Sequence, residues 1–499
     1  MRQRITFFHH NEDAIEPSSL VVAGRSFSGP DIKAVREDRF TLGLEELPPE
    51  LKDLLQVTHE LHIRWSSPEG YKSLGPWNSR LSPGLHVFYT PQKDETATVI
   101  PSMQLCSLLR RLGVIDCSSP NESFTRLPND RFSHSTAYQY YQPLEHLQPF
   151  LDYAAQYACS PSKTECKSIL QSLSLAPLFD FSYDTISHVV KITALWKHGL
   201  QPLSLSSHPN HRVEVGLLTP YSPPNLEYYE LGATGLLTVL GEDKEPAPTL
   251  FTFPSRHKQA GTSFVSQFVS PIGMHPTMRV LVKSSKPPVD DSYCSLHAYL
   301  TLPRTIFADK YQLEDPLFLA SKNLTALRYT SQPVNLEAPD YVMKVWGSSI
   351  LLELQPLTEE NKPFTAEVPL HLRYKAPQYG GEQTFEVPYP AVFWACAAEE
   401  GTKFTNSPFD RVNLGFDGLF GPRTVFWHLD PEPSESNGRL MMKGSVPVLD
   451  LSRSASISMV TAAVVLAGFA WVVWKLAAVY FKTGHRAPPP SKETEKKTQ

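Results

Sequence analysis

The run "SISMVTAAVVLAGFAWVVWKLAAVYF", Ser456 to Phe481, limits what this chain can fold into more than any other stretch, because Ile457 to Trp474 carries no charge. These 18 residues come close to the roughly 20 that cross a hydrocarbon layer at 1.5 Å per residue. Lys475 can snorkel outward on its aliphatic stem, and Trp471, Trp474 and Tyr480 suit a membrane interface. A buried core helix is the alternative, but such a helix is rarely apolar on every face. A single membrane-spanning helix is therefore expected at 456–481.

The flanks set its orientation. Lys475, Lys482, Arg486, Lys492, Lys496 and Lys497 follow the uncharged stretch, against Arg439, Lys443 and Arg453 before it. The excess predicts a cytosolic tail. That tail closes on Lys496-Lys497-Thr498-Gln499, the pattern of a K-K-x-x retrieval signal of endoplasmic-reticulum (ER) membrane proteins, which works only in this orientation. A polar tail after the apolar run is also unlike a GPI-anchor signal, which ends in its hydrophobic stretch, so the span is expected to be retained. The opening "MRQRITFFHHNEDAIEPSSL" holds no apolar run of signal-peptide length. The C-terminal run is then the apolar segment long enough to engage the translocon.

With the tail cytosolic, the body of the chain is expected in the lumen. Two sequons agree, Asn121-Glu-Ser123 and Asn323-Leu-Thr325. Six cysteines are present, Cys106, Cys117, Cys159, Cys166, Cys294 and Cys396, with no C-x-x-C pair, which leaves zinc ribbons and thioredoxin-like sites without support. They are either bridged or buried as free thiols. A net charge of −5 over 499 residues argues against a nucleic-acid partner.

Strand formers and proline set the fold class: 45 Pro, 26 Phe and 20 Tyr accompany only 19% charged residues. In "EVPLHLRYKAP", Val368, Leu370, Leu372 and Tyr374 alternate with His371, Arg373 and Lys375; in "CSLHAYLTLP", Cys294, Leu296, Ala298, Leu300 and Leu302 share a face; "AVFWAC" does the same with Val392, Trp394 and Cys396. Period-two runs cut by proline and glycine turns predict a mainly β protein of antiparallel, sandwich-like sheets. The N-terminal half is mixed. "ITFFHH", "LHIRWSS", "GLHVFYTP" and "RVEVGLLTP" read as strands, whereas "SMQLCSLLRRLGV" and "PLEHLQPFLDYAAQY", with Leu144, Leu147, Leu151 and Ala155 at helical spacing, read as helices. Charge and proline in "GEDKEPAPT", Gly241 to Thr249, predict a linker. A polar stalk is expected over 431–455, its most polar part being Pro431 to Gly444.

No catalytic constellation emerges. "HELH", His59 to His62, falls one residue short of H-E-x-x-H, which needs its histidines one helical turn apart, and it lies in a strand-like run. No G-x-S-x-G elbow, P-loop or dinucleotide fingerprint is found. The neighbouring carboxylates Asp290-Asp291 and Glu359-Glu360 sit in polar, turn-like stretches, where such pairs are usually solvated.

From about Gly273 to Asp430 the chain resembles the PIG-X family, and as a whole it resembles that family's longer fungal members. The segments carrying the likeness are "MHPTMRVLV", "CSLHAYLTLPRTIFADKYQL", "LEAPDYV", "WGSSILLEL", "EVPLHLRYKAP" and "VPYPAVFWACAAEE", with "NSPFDRVNLGFDGLFGP" as a weaker part. The resemblance implies a non-catalytic, single-span ER subunit of GPI mannosyltransferase I, without cofactor or metal. Its implied partner is a multi-span PIG-M-like subunit, which adds the first mannose of the glycosylphosphatidylinositol anchor and which PIG-X stabilises. The expected division is an N-terminal luminal region (1–248), a PIG-X-like β domain (249–430), the stalk (431–455), the span (456–481) and the tail (482–499). Within the resembling domain Cys294 and Cys396 lie on apolar strand faces, so a bridge between them is expected. Cys106–Cys117 and Cys159–Cys166 are then the simplest remaining pairs among 15 connectivities.

A lone span offers no cavity within the bilayer for a dolichol-linked donor, which favours an accessory subunit over a transferase. Other readings remain: a general luminal chaperone for membrane and secretory proteins, an enzyme such as a glycosidase built on paired carboxylates, or a receptor or cargo adaptor.

Overall fold

A computed structural model describes the chain apart from residues 73–74, 93–99, 128–137, 158–169, 291–292, 332–333, 357–361, 405–406, 412, 435 and 485–499. It has two compact units: Met1–Lys375 with Thr384–Gly444, and Ala376–Gln383 with Ser445–Gln499.

The first unit is mainly β and holds two large sheets. One has eleven strands. From the edge hairpin Ala247–Pro254 and Glu230–Val239 it passes through Arg212–Tyr221, Arg2–His9, Ile32–Gly43 and Val189–Gln201. It continues through Leu178–Asp184, Thr58–Ser66 and Gly84–Pro91 to Tyr138–Gln142 and Thr125–Arg126. Every neighbour is antiparallel except Arg2–His9 beside Arg212–Tyr221, which run parallel with Phe7 opposite Leu217. Strand alternation sends adjacent side chains to opposite faces. Phe7 accordingly joins Ile5, Phe27, Ile32 and Val215 in one core, whereas Phe8 joins Val35, Trp77, Leu195 and Phe409 in another.

The second sheet has eight strands, in the order Leu324–Thr330, Gly347–Leu354, Cys294–Pro303, Ala391–Ala397, Thr424–Pro431, His257–Phe268, Thr277–Val282 and Phe364–Pro369. Its one parallel pair joins His257–Phe268 to Thr424–Pro431. The alternation in "CSLHAYLTLP" and "AVFWAC" marks two faces, both of them buried. Leu296, Ala298 and Leu300 are covered, and so are His297, Tyr299 and Thr301 behind them. "EVPLHLRYKAP" breaks into two strands, Phe364–Pro369 and His371–Leu372. The pattern holds through Leu372 and fails beyond it: Tyr374 is 72% exposed, and Arg373 is buried with its guanidinium 4.5 Å from the Phe307 ring.

Two connections differ from their sequence reading. Gly241 to Thr249, expected as a linker, turns one hairpin and leads into the strand Ala247–Pro254, because its charges fall in the turn. The stretch 431–444, expected as a polar stalk, ends with Leu440, Met441 and Met442 buried; that apolar triplet outweighs the polar residues before it. The helices Ile100–Leu109 and Gln148–Tyr157 overlap the two helical readings of the sequence, the second beginning beyond Leu144 and Leu147.

In the second unit a helix runs from Ser454 to Thr483, 30 residues, about 45 Å at 1.5 Å per residue. Its apolar side chains, including Met459, Leu466, Phe469 and Trp474, are exposed, as a lipid-facing helix requires. Preceding it, the backbone of Val448–Leu451 is hydrogen-bonded to the loop Ala376–Gln383.

Candidate functional site

A cluster of buried charge in the first unit gathers around the 407–420 loop, which touches both sheets. Pro408 O accepts from Arg4 Nη2 (3.1 Å) and from Arg39 Nη1. The same two arginines clamp Glu37, Arg4 on Oε1 at 2.9 Å and Arg39 on Oε2 at 3.2 Å, and Trp77 Nε1 also donates to Oε2 at 2.5 Å. Burial pushes the Glu37 carboxyl up, but Arg39 and Arg4 outweigh it and hold the group below the usual range. At neighbouring Asp38 burial wins over Arg36, and the carboxyl is raised. Further along, Asn413 O accepts from Arg64 at 2.9 Å, and Arg411 lies 3.5 Å from Asp180 and donates to Ser79 Oγ at 3.0 Å. Burial lowers Arg64 to about 10.

Facing the eight-stranded sheet, Asp410 accepts from Ser255 Oγ and from the Arg256 backbone N–H, each at 2.9 Å; its burial raises it to about 6. His257 Nδ1 lies 2.9 Å from His428 Nε2, and both rings are buried. Burial brings His428 to about 3 and holds His257 well below its ordinary value. The rings are neutral near pH 7. Phe409 completes the join by packing edge-on to Trp77 and against Phe253 of the eleven-stranded sheet, with Arg4 over its face at 4.8 Å. These contacts tie the loop to both sheets, although Asp180 Oδ1, His428 Nδ1 and the Nε atoms of Arg4, Arg39 and Arg64 are buried without a hydrogen-bond partner among the described residues.

The sequence-derived candidates fall elsewhere. His59 and His62 lie in the strand Thr58–Ser66; His62 Nε2 is 2.9 Å from Glu60 Oε1, and Asn413 Nδ2 also reaches Glu60. Cys106 and Cys117 form a disulfide, as do Cys294 and Cys396, which are register partners on adjacent strands. Cys159 and Cys166 lie outside the described residues, as do Asp291, Glu359, Glu360, Lys496 and Lys497. Asp290 is 3.3 Å from Lys286 on the surface. Asn121 is exposed at the start of a short helix, whereas Asn323 is half-buried in a left-handed conformation, its Nδ2 donating to Thr365 O at 2.7 Å. Among the described residues no group of three or more His, Cys, Asp or Glu is placed to hold a metal ion.

A groove of about 340 Å³ opens beside Tyr140 and Trp346. Its cations are compensated: Arg304 pairs with Asp116 and with Asp340 (3.3 Å), Lys375 with Asp340 (3.7 Å) and Lys344 with Glu122 (3.5 Å). Residues from such distant segments carry no common signal in the sequence. For the 407–420 loop a signal did exist, in the mixture of aromatic and charged residues in "NSPFDRVNLGFDGLFGP".

Comparison with known proteins places this architecture. Residues 271–477 match the family model described as PIG-X / PBN1. Among curated relatives, Protein pbn1 of Neurospora crassa is 53% identical over 98% of this chain and 97% of its own length. Protein PBN1 of Gibberella zeae is 46% identical over 100% and 99%. Protein pbn1 of Emericella nidulans is 40% identical over 97% of both. The likeness therefore runs through the eleven-stranded sheet as well as the family-model region, and the chain belongs to the PIG-X / PBN1 family.

Proposed function

We propose that this protein is the non-catalytic accessory subunit of an ER GPI mannosyltransferase I, and that it stabilises a multi-span catalytic subunit adding the first mannose of the anchor. Kinship over nearly the whole chain to the PIG-X / PBN1 family carries this reading. Three features support it. One exposed apolar helix can fix the protein beside a membrane partner. The buried ionisable groups around 407–420 serve to join two sheets. The two disulfides suit an oxidising lumen, and the lysine-rich tail after the span suits a cytosolic C-terminus.

A subunit that binds only the folded form of its partner stabilises it by mass action. Depleting this protein should therefore lower the abundance of the catalytic subunit, and GPI intermediates without mannose should accumulate. Both are read in the same cells. Normal partner levels with transfer abolished would point to a direct role in the reaction, and normal transfer would remove the assignment. Affinity purification should recover one stoichiometric multi-span partner, whereas a changing set of clients would favour a general chaperone. For topology, endoglycosidase H should shift the protein's mobility, with Asn121→Gln and Asn323→Gln dividing the shift between the sites. A protein without glycan whose body is digested by protease outside sealed microsomes would overturn the luminal placement.

A further inference from the structure

The second unit contains a feature that a plain membrane anchor does not need: the loop Ala376–Gln383 is fastened to the residues just before the span. Gln378 N–H donates to Leu449 O (3.1 Å), Leu451 N–H to Gln378 O (3.3 Å) and Val448 N–H to Gly381 O (2.9 Å). Gln383 Nε2 closes the loop on Ala376 O at 2.9 Å. The turn depends on Gly380 and Gly381, whose φ angles of 91° and 71° lie in the left-handed region. At its tip Tyr379 is 75% exposed, and Leu449 on the facing segment is 46% exposed.

The depth of this loop follows from the helix. Between the charges of Arg453 and Lys475, Ser454 to Trp474 is uncharged. At 1.5 Å per residue that stretch measures about 31 Å, matching a hydrocarbon core of about 30 Å. Arg453 then stands at the boundary, and Val448–Leu451 lies in the headgroup layer, which is about 5–7 Å deep on each side. The loop is bonded to those residues and must share their depth. Tyrosine is enriched at this level because its ring is apolar and its hydroxyl stays wet.

We propose that Ala376–Gln383 is a second membrane contact, with the Tyr379 ring seated among phospholipid headgroups of the leaflet at the N-terminal end of the span. Two contacts in one unit hinder rotation of the helix about its own axis, which a lone span leaves free.

The test is site-specific photocrosslinking of the full chain, with benzoylphenylalanine in place of Tyr379 or, as a lipid-facing reference, of Trp471. In nanodiscs of phosphatidylcholine and phosphatidylserine both positions should yield phospholipid adducts. In native membranes position 379 should still yield lipid. Loss of the lipid adduct at 379 while 471 retains it would overturn the proposal. A polypeptide adduct at 379 in native membranes would overturn it in favour of a protein partner. The probe resembles tyrosine and sits at an exposed tip, so folding is not at issue.

Discussion

The two sheets of the first unit are built alike, each antiparallel with one parallel pair, but they bury different polar groups. The eleven-stranded sheet brings carboxylates and guanidiniums to the join: Glu37, Asp38, Arg64 and Asp180. The eight-stranded sheet brings imidazoles, His257, His297 and His428. Their middles and margins differ too. Strands Cys294–Pro303 and Ala391–Ala397 are covered on both faces, whereas the hairpin Glu230–Val239/Ala247–Pro254 leaves Leu237 and Leu250 in solvent. Compensated charges persist across ordinary pH, but a buried imidazole is stable only while neutral. The balance therefore differs by degree: the eleven-stranded sheet also buries His62 and His86, and the eight-stranded sheet buries Glu353 against Arg328, but the imidazole pair at the join belongs to the eight-stranded sheet.

Acid should break this symmetry most strongly. His297 is lowered by burial to about 4 and His428 to about 3, and His257 well below normal, while the eleven-stranded sheet contributes His86 at about 4. A depressed histidine contributes stability that is present above its unfolded value and lost as pH falls. Four such groups give a loss on the order of 10 kcal/mol between about pH 6.5 and 4.5. Asp410 acts oppositely: raised to about 6, its contribution is lost as pH rises and recovers on acidification, offsetting about 2 kcal/mol. Hydrogen exchange at stepped pH should show amides of the eight-stranded sheet opening first.

The disulfides sharpen the comparison at smaller scale. Cys294–Cys396 closes 102 residues of chain and Cys106–Cys117 only 11. Removing the first by a Cys→Ser pair should cost about 4.7 kcal/mol and removing the second about 3, measured as the loss of unfolding free energy in denaturant with midpoint and slope both fitted. Trp394→Ala in the doubly covered middle should cost about 3–5 kcal/mol by the same measurement. Leu250→Ala on the open edge should stay within about 0.5 kcal/mol. Equal losses at Trp394 and Leu250 would mean that middle and margin do not differ in stability.

What could be read from the sequence was local. The uncharged run gave the long apolar C-terminal helix, period-two alternation gave the strands, and helical spacing gave part of Gln148–Tyr157. Alternation could not say whether the second face meets water or another core, so Tyr299 and Phe393 behind the expected faces were not foreseen. Nor could it see Tyr374 turn outward, because the strand ends at Leu372. The charge network was illegible for a plainer reason. Asn413 meets Glu60 and Arg411 meets Asp180 across hundreds of residues, and spacing carries no signal at that range.

The parallel pairing of Arg2–His9 with Arg212–Tyr221 also has a temporal meaning. Arg2 lies opposite Arg212, so at 5–20 residues per second the first strand leaves the ribosome about 10–40 s before its partner exists. Throughout that interval Ile5, Phe7 and Phe8 lack one flank of their sheet, and a bare apolar edge of this kind readily pairs with other chains. The protein's yield should therefore respond to elongation rate and to holding chaperones during synthesis, well before the apolar helix at Ser454–Thr483 has been made.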